Sequence, residues 1–142
     1  MINYAITIYG HAPNYILNRL QITQNTLIRA LFKKLSNEGT HELYKKYKIK
    51  TVKQLFVYRL LLKYRFAEYP RQIAHNLNTR NQRLQYILPG ETNNFGTRLN
   101  VYCIPNLRNM MPHTDENLME ICYRDFKKVI ELFCKQVEQI ES

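Results

Sequence analysis

The stretch Thr51-Val52-Lys53-Gln54-Leu55-Phe56-Val57-Tyr58-Arg59-Leu60-Leu61-Leu62-Lys63 decides the fold class. Thr51 and Gln54 have capping-box spacing, in which the threonine hydroxyl accepts from the glutamine amide and the glutamine side chain accepts from the threonine amide. The residues that follow are densely apolar, but Arg59, Lys63 and Arg65 interrupt them. That pattern is a helix with one buried stripe and not a membrane span. The stripe is expected at Leu55, Phe56, Leu60 and one of Leu61 and Leu62, with Arg59, Lys63 and Arg65 extending outward. The helix should stop near Phe66 or Ala67, ahead of Tyr69-Pro70, because a residue before proline disfavours helical geometry.

On the N-terminal side, Ile16, Leu17, Leu20, Leu27, Ile28, Leu31, Phe32 and Leu35 recur at helical spacing. Asn14 is a candidate cap at the start of this helix, and Asn37 to Gly39 can end it. A short helix is expected over Thr40–Tyr47, with Leu43, Tyr44 and Tyr47 on one side. The Ile- and Tyr-rich opening, closed by Gly10, reads as a short strand or as the end of a helix begun upstream, and such an opening suits either a fragment of a longer chain or a piece that packs late.

On the C-terminal side, Pro70 suits the first turn of a short helix over Pro70–Leu77. From Asn78 to Pro112 the helical period is lost, and Leu84–Leu88 and Thr97–Ile104 read as short extended pieces. A connection of that length needs pinning, by packing on helices or by a ligand. The last helix is expected over Asn117–Ile140, where Asn117 and Glu120 have capping-box spacing. Leu118, Cys122, Phe126, Val129, Phe133, Val137 and Ile140 form its stripe, suited to a core or to a partner helix. The expected fold is therefore mainly α: a small helical domain with an amphipathic C-terminal helix and a long irregular or short-strand connection at about 78–112. Its parts, 1–77, 78–112 and 113–142, read as one structural unit. No internal repeat points to a solenoid.

The chain has 142 residues and a net charge of +10, and the charge is concentrated. Lys45–Arg83 holds eleven cations and a single acid, Glu68, so the rest of the chain is neutral. A neutral body with one basic segment points to a polyanionic partner, RNA or DNA, ahead of an anionic membrane. The candidate contact residues are Lys45, Lys46, Lys48, Lys50, Lys53, Arg59, Lys63, Arg65, Arg80 and Arg83. Tyr44, Tyr47, Tyr58, Tyr64 and Tyr69 are interleaved with them. A tyrosine stacked on an unpaired base is worth roughly 1–3 kcal/mol, although core plugs are the better reading for these rings.

Catalytic and cofactor signals are weak. Four histidines and three cysteines show no metal-ligand spacing, and the four glycines form no phosphate loop, so no metal or cofactor is expected. Asp115-Glu116 and Glu120 with Asp125 are paired carboxylates, but acids at a helix start also complement its dipole. Neither Ser36 nor Ser142 sits in a nucleophile elbow. The N-terminus lacks a signal-peptide pattern and the cysteines are odd in number, which fits reduced thiols in an intracellular protein of nucleus or cytoplasm.

The order of several strings resembles the C-terminal, post-thumb region of reverse transcriptases from LINE-type, jockey-like non-LTR retrotransposons. The strings are Tyr4-Ala5-Ile6-Thr7-Ile8-Tyr9-Gly10; Leu20-Gln21-Ile22-Thr23-Gln24-Asn25-Thr26-Leu27-Ile28-Arg29; Thr40 to Tyr44; and Val57-Tyr58-Arg59-Leu60-Leu61-Leu62. They continue with Asn78-Thr79-Arg80-Asn81, Thr92 to Arg98, Tyr102 to Pro112 and Phe126-Lys127-Lys128. Two tryptophans usual in that family are replaced, at Tyr9 and near Leu107 or Arg108. No Tyr/Phe-x-Asp-Asp motif occurs, so the metal-binding aspartates of polymerisation are lacking. The resemblance implies a non-catalytic accessory region of an RNA-directed DNA polymerase. It would hold template RNA or target DNA through Lys45–Arg83 and pack on the catalytic part of the enzyme. Two alternatives stand beside it: a freestanding, domesticated nucleic-acid-binding module, and a protein-interaction domain that uses the C-terminal helix.

Overall fold

A computed structural model describes residues 2–35, 38–73, 84–90, 96, 100–111 and 121–140. It is mainly helical, as the periodicity requires. The described elements are α1 (Ile2–Tyr9), α2 (Asn14–Leu31), α3 (His41–Lys46), α4 (Val52–Lys63), β1 (Arg71–Ile73), β2 (Leu84–Tyr86), α5 (Asn100–Met110) and α6 (Tyr123–Ile140). The chain divides into two units, residues 1–59 and 60–142, with the division inside α4.

In the first unit the opening segment is a helix, and it ends with the Gly10 amide donating to the Ile6 carbonyl at 2.8 Å. Gly10 is needed here: a methyl group at this Cα would run into the Phe56 ring. The His11 ring then meets Phe56 edge-on, with centroids 5.0 Å apart. α2 begins after Pro13, and Asn14 makes no side-chain cap. It ends at Leu31, ahead of the Asn37–Gly39 stop expected from sequence, because Lys33 turns the chain with φ 52°. Of the expected α2 stripe only Leu17 and Ile28 are buried, whereas Ile16, Leu27, Leu31 and Leu35 are exposed.

The inner face of α2 is instead partly polar. Gln21 donates to the Tyr44 hydroxyl (2.8 Å) and to Asn25 Oδ1 (3.0 Å), and its own Oε1 accepts from the Val52 amide (2.8 Å). Tyr44 donates to Asn25 Oδ1 at 2.7 Å. Gln24 donates to the Lys50 carbonyl at 3.0 Å, and Arg29 donates to the Glu38 carbonyl at 2.8 Å. The string Leu20 to Arg29 thus places four polar side chains, at 21, 24, 25 and 29, on one side of α2, where they hold the connection 38–52. Val52 N–H is an orphan donor at the start of α4, and Gln21 satisfies it.

The Thr51–Gln54 capping box forms as expected: Thr51 N donates to Gln54 Oε1 (3.1 Å) and Gln54 N to Thr51 Oγ1 (3.3 Å). Val52, Phe56, Val57, Tyr58, Leu60 and Leu61 of α4 are buried. Leu55 and Leu62 are only half-buried, so the stripe is wider than expected and shifted.

In the second unit, Arg65 corrects the outward placement expected of it, being only 8% exposed. Its guanidinium donates to the Ile121 carbonyl and lies 4.7 Å from the Phe126 ring centroid. The segment after Pro70 is β1 rather than a helix. It pairs antiparallel with β2 in the register Arg71↔Tyr86, Gln72↔Gln85 and Ile73↔Leu84. The extended piece expected at Leu84–Leu88 is therefore present, as β2. The piece expected at Thr97–Ile104 is overturned, because α5 occupies Asn100–Met110. Pro105 inside α5 lacks the N–H that Val101 would otherwise receive, and this interrupted the helical signal.

Arg108 of α5 is buried at 4% exposure. It donates to the carbonyls of Tyr64 (2.6 Å), Ala67 (2.9 Å) and Arg65 (3.1 Å). Those carbonyls belong to the turn that follows α4, where Tyr64 O also accepts from the Ala67 amide at 3.2 Å, so Arg108 holds that turn against α5. Asn109 next to it exchanges two bonds with the Tyr86 backbone, at 2.8 and 2.9 Å, as a paired strand residue would.

α6 buries Phe126, Ile130, Phe133 and Cys134. Val129 and Val137 are half-buried and Cys122 is exposed, while Leu118 and the Asn117–Glu120 capping box lie outside the described residues. The Cys122 thiol donates to Asp125 and Lys128 pairs with it, which holds that carboxyl below its ordinary range.

Candidate nucleic-acid interface

Three exposed cations of the first unit, Lys45, Lys46 and Lys48, sit around the end of α3. That helix closes in a full Schellman turn: Ile49 N donates to the Tyr44 carbonyl (3.0 Å) and Lys48 N to the Lys45 carbonyl (3.4 Å). Lys48 occupies the left-handed position with φ 52°, where glycine is preferred because a Cβ crowds the backbone. Lys45, Lys46 and Lys48 are exposed and form no ion pair among the described residues.

α2 closes in the same way. Lys34 N donates to the Arg29 carbonyl (2.8 Å) and Lys33 N to the Ala30 carbonyl (3.3 Å), with Lys33 left-handed. The two closures meet through Phe32 and Tyr47, whose rings stack 4.3 Å apart at 21°. Lys33 and Lys34 directly follow Phe32, and Tyr47 stands between Lys46 and Lys48, so the stack joins the two lysine-bearing closures. Sequence reasoning missed both residues because they precede the dense segment. The signal that would have found them is a Phe-Lys-Lys triplet at the end of a long helical run. Lys34 is held by Glu38 at 2.9 Å, which raises the lysine pKa and lowers that of the carboxyl.

The other candidates differ from one another. Lys50 is half-buried, with its ammonium 4.6 Å from the centroid of the buried Tyr58 ring. Lys53 is half-buried as well, whereas Arg59 and Lys63 are exposed one turn apart on α4. In the second unit Arg65 is taken up by Ile121 and Phe126, so it is a structural residue. Arg80 and Arg83 lie outside the described residues, as do Asn78–Asn81. Among the tyrosines, Tyr58 is buried, Tyr44 and Tyr64 are half-buried in hydrogen bonds, and Tyr47 is 46% exposed.

Chemically, the stretch offers several ammonium groups on and around the α3–α4 connection and the Arg59 guanidinium on α4, with no carboxylate among Lys45–Arg59. Such groups neutralise phosphates by releasing counterions, and contacts of that kind carry no sequence information. Among the described residues no three His, Cys, Asp or Glu side chains gather to hold a metal. No helix among them is long and apolar enough to cross a membrane. No protein-family model, curated protein or solved structure matches the chain.

Proposed function

We propose that this chain binds single-stranded RNA or DNA through the exposed cations around the end of α3, without sequence readout and without catalysis. In the fuller proposal it is an accessory region of a retrotransposon RNA-directed DNA polymerase. The observation that carries the binding proposal is the placement of Lys45, Lys46 and Lys48 on an exposed helix closure, joined by the Phe32–Tyr47 stack to a second closure that holds Lys33. A left-handed lysine costs backbone energy that glycine would avoid, and strain of that kind collects where a side chain has a task. The polymerase proposal is supported by the order of the sequence strings. In the string Leu20 to Arg29, the polar residues are the ones that hold the connection to α4.

The test is a filter-binding assay with a labelled single-stranded RNA. Lys45→Gln, Lys46→Gln and Lys48→Gln together should weaken binding at least tenfold while circular dichroism stays unchanged. Equal affinity of the folded variant would end the proposal. Purified chain should extend no primer, and extension would refute the accessory role.

A further inference from the structure

We infer that the outer face of α2 is a docking ridge for an acidic amphipathic helix of a partner protein. This inference is independent of nucleic-acid binding.

The ridge is defined by an inversion of the usual arrangement. α2 turns Gln21, Gln24, Asn25 and Arg29 toward its own unit, where each is hydrogen-bonded. Apart from buried Leu17 and Ile28, its aliphatic residues point out: Ile16 is 43%, Leu27 54% and Leu31 77% exposed. With half-buried Leu20 they follow a 4-7-4 spacing, which keeps one line of side chains on one helix face. That is the seam of a two-helix contact, where such residues interlock with those of a facing helix. A single surface leucine needs no explanation, but a line of them running the length of a helix marks an interaction site.

Charge identifies the occupant. Residues 1–37 contain Arg19, Arg29, Lys33 and Lys34 and no Asp or Glu. Arg29 is turned inward and Lys34 is paired with Glu38, but a second copy docking through the same face would bring no carboxylate to Arg19 or Lys33, so self-association leaves them unmatched. Arg19 stands three residues from both Ile16 and Ile22, between two exposed apolar side chains. A bilayer takes up a broad apolar face, whereas this line is a single seam, and a facing helix can also place a carboxylate on Arg19. The fitting partner is therefore a helix with an apolar seam flanked by Asp or Glu.

The test uses the full chain and a fluorescein-labelled synthetic helix that carries a leucine seam flanked by glutamates, followed by anisotropy. A second helix has lysines in place of the glutamates. The acidic helix should bind saturably and more tightly than the basic one. Leu27→Ser with Leu31→Ser should weaken it about tenfold or more, which is 1.4 kcal/mol, with an unchanged circular dichroism spectrum. Arg19→Glu should shift preference toward the basic helix. Absence of saturable binding, or equal affinity for both helices, overturns the inference. So does phosphatidylserine-vesicle sedimentation, or a dimer in light scattering, that the Leu27/Leu31 variant abolishes.

Discussion

α2 and α6 are both 18-residue helices with apolar residues at helical spacing, and they use that spacing in opposite senses. α6 buries Phe126, Ile130, Phe133 and Cys134. Its Lys127, Lys128 and Lys135 remain exposed. α2 buries only Leu17 and Ile28, fills the rest of its inner face with hydrogen-bonded Gln21, Gln24 and Asn25, and exposes its aliphatic line. Periodicity locates a helix, but the direction in which the helix faces depends on partners far away in sequence. The Val52 amide and the Lys50 carbonyl need partners, and α2 supplies them. An apolar residue at those positions would leave buried backbone groups unsatisfied.

The contrast can be broken by substitution. Phe133→Ala in α6 removes a fully buried ring and should lower stability by about 3–5 kcal/mol, read from urea unfolding. Gln21→Ala in α2 removes no large apolar group, yet it should cost about 1–3 kcal/mol because the Val52 amide loses its acceptor. If Gln21→Ala were neutral and Leu27→Ala cost as much as Phe133→Ala, α2 would face the other way. Lys48→Gly should raise stability by about 0.5–1 kcal/mol by relieving the left-handed backbone, and at the same time weaken RNA binding. Leu31→Ser should stay within about 0.5 kcal/mol of the parent, as an exposed position does.

Thiol chemistry sharpens the same division of exposure. Burial pushes the Cys103 thiol up to about 11, so at pH 8 almost none of it is thiolate. Cys122 is exposed and Cys134 is buried. Iodoacetamide at pH 8 should therefore modify Cys122 first, as peptide mass mapping would read.

The helices around α4 were legible because their signals are local. The Thr51–Gln54 capping box acts within a few residues, whereas α4 ends at Lys63, ahead of the Phe66 or Ala67 stop expected from Tyr69-Pro70. α5 was not legible, since Pro105 interrupts its period and its role depends on distant groups. Arg108 holds the turn after α4 through carbonyls about 41–44 residues earlier in the chain. Arg65 was misplaced for a related reason. A cation in an apolar run suggests an outward side chain, but Phe126 and the Ile121 carbonyl provide an interior site for it. The candidate interface was legible as a run of lysines. The pairing of two helix closures that adds Lys33 depends on the Phe32–Tyr47 stack, which no local pattern announces.

The central claim is that Lys45, Lys46 and Lys48 contact phosphates, and the salt dependence of RNA affinity tests it most directly. For single strands the slope of log K against log salt changes by about 0.7 per phosphate contact. Replacing the three lysines by glutamine should therefore flatten the slope by about 2. An unchanged slope, with the variant still folded, would contradict the account.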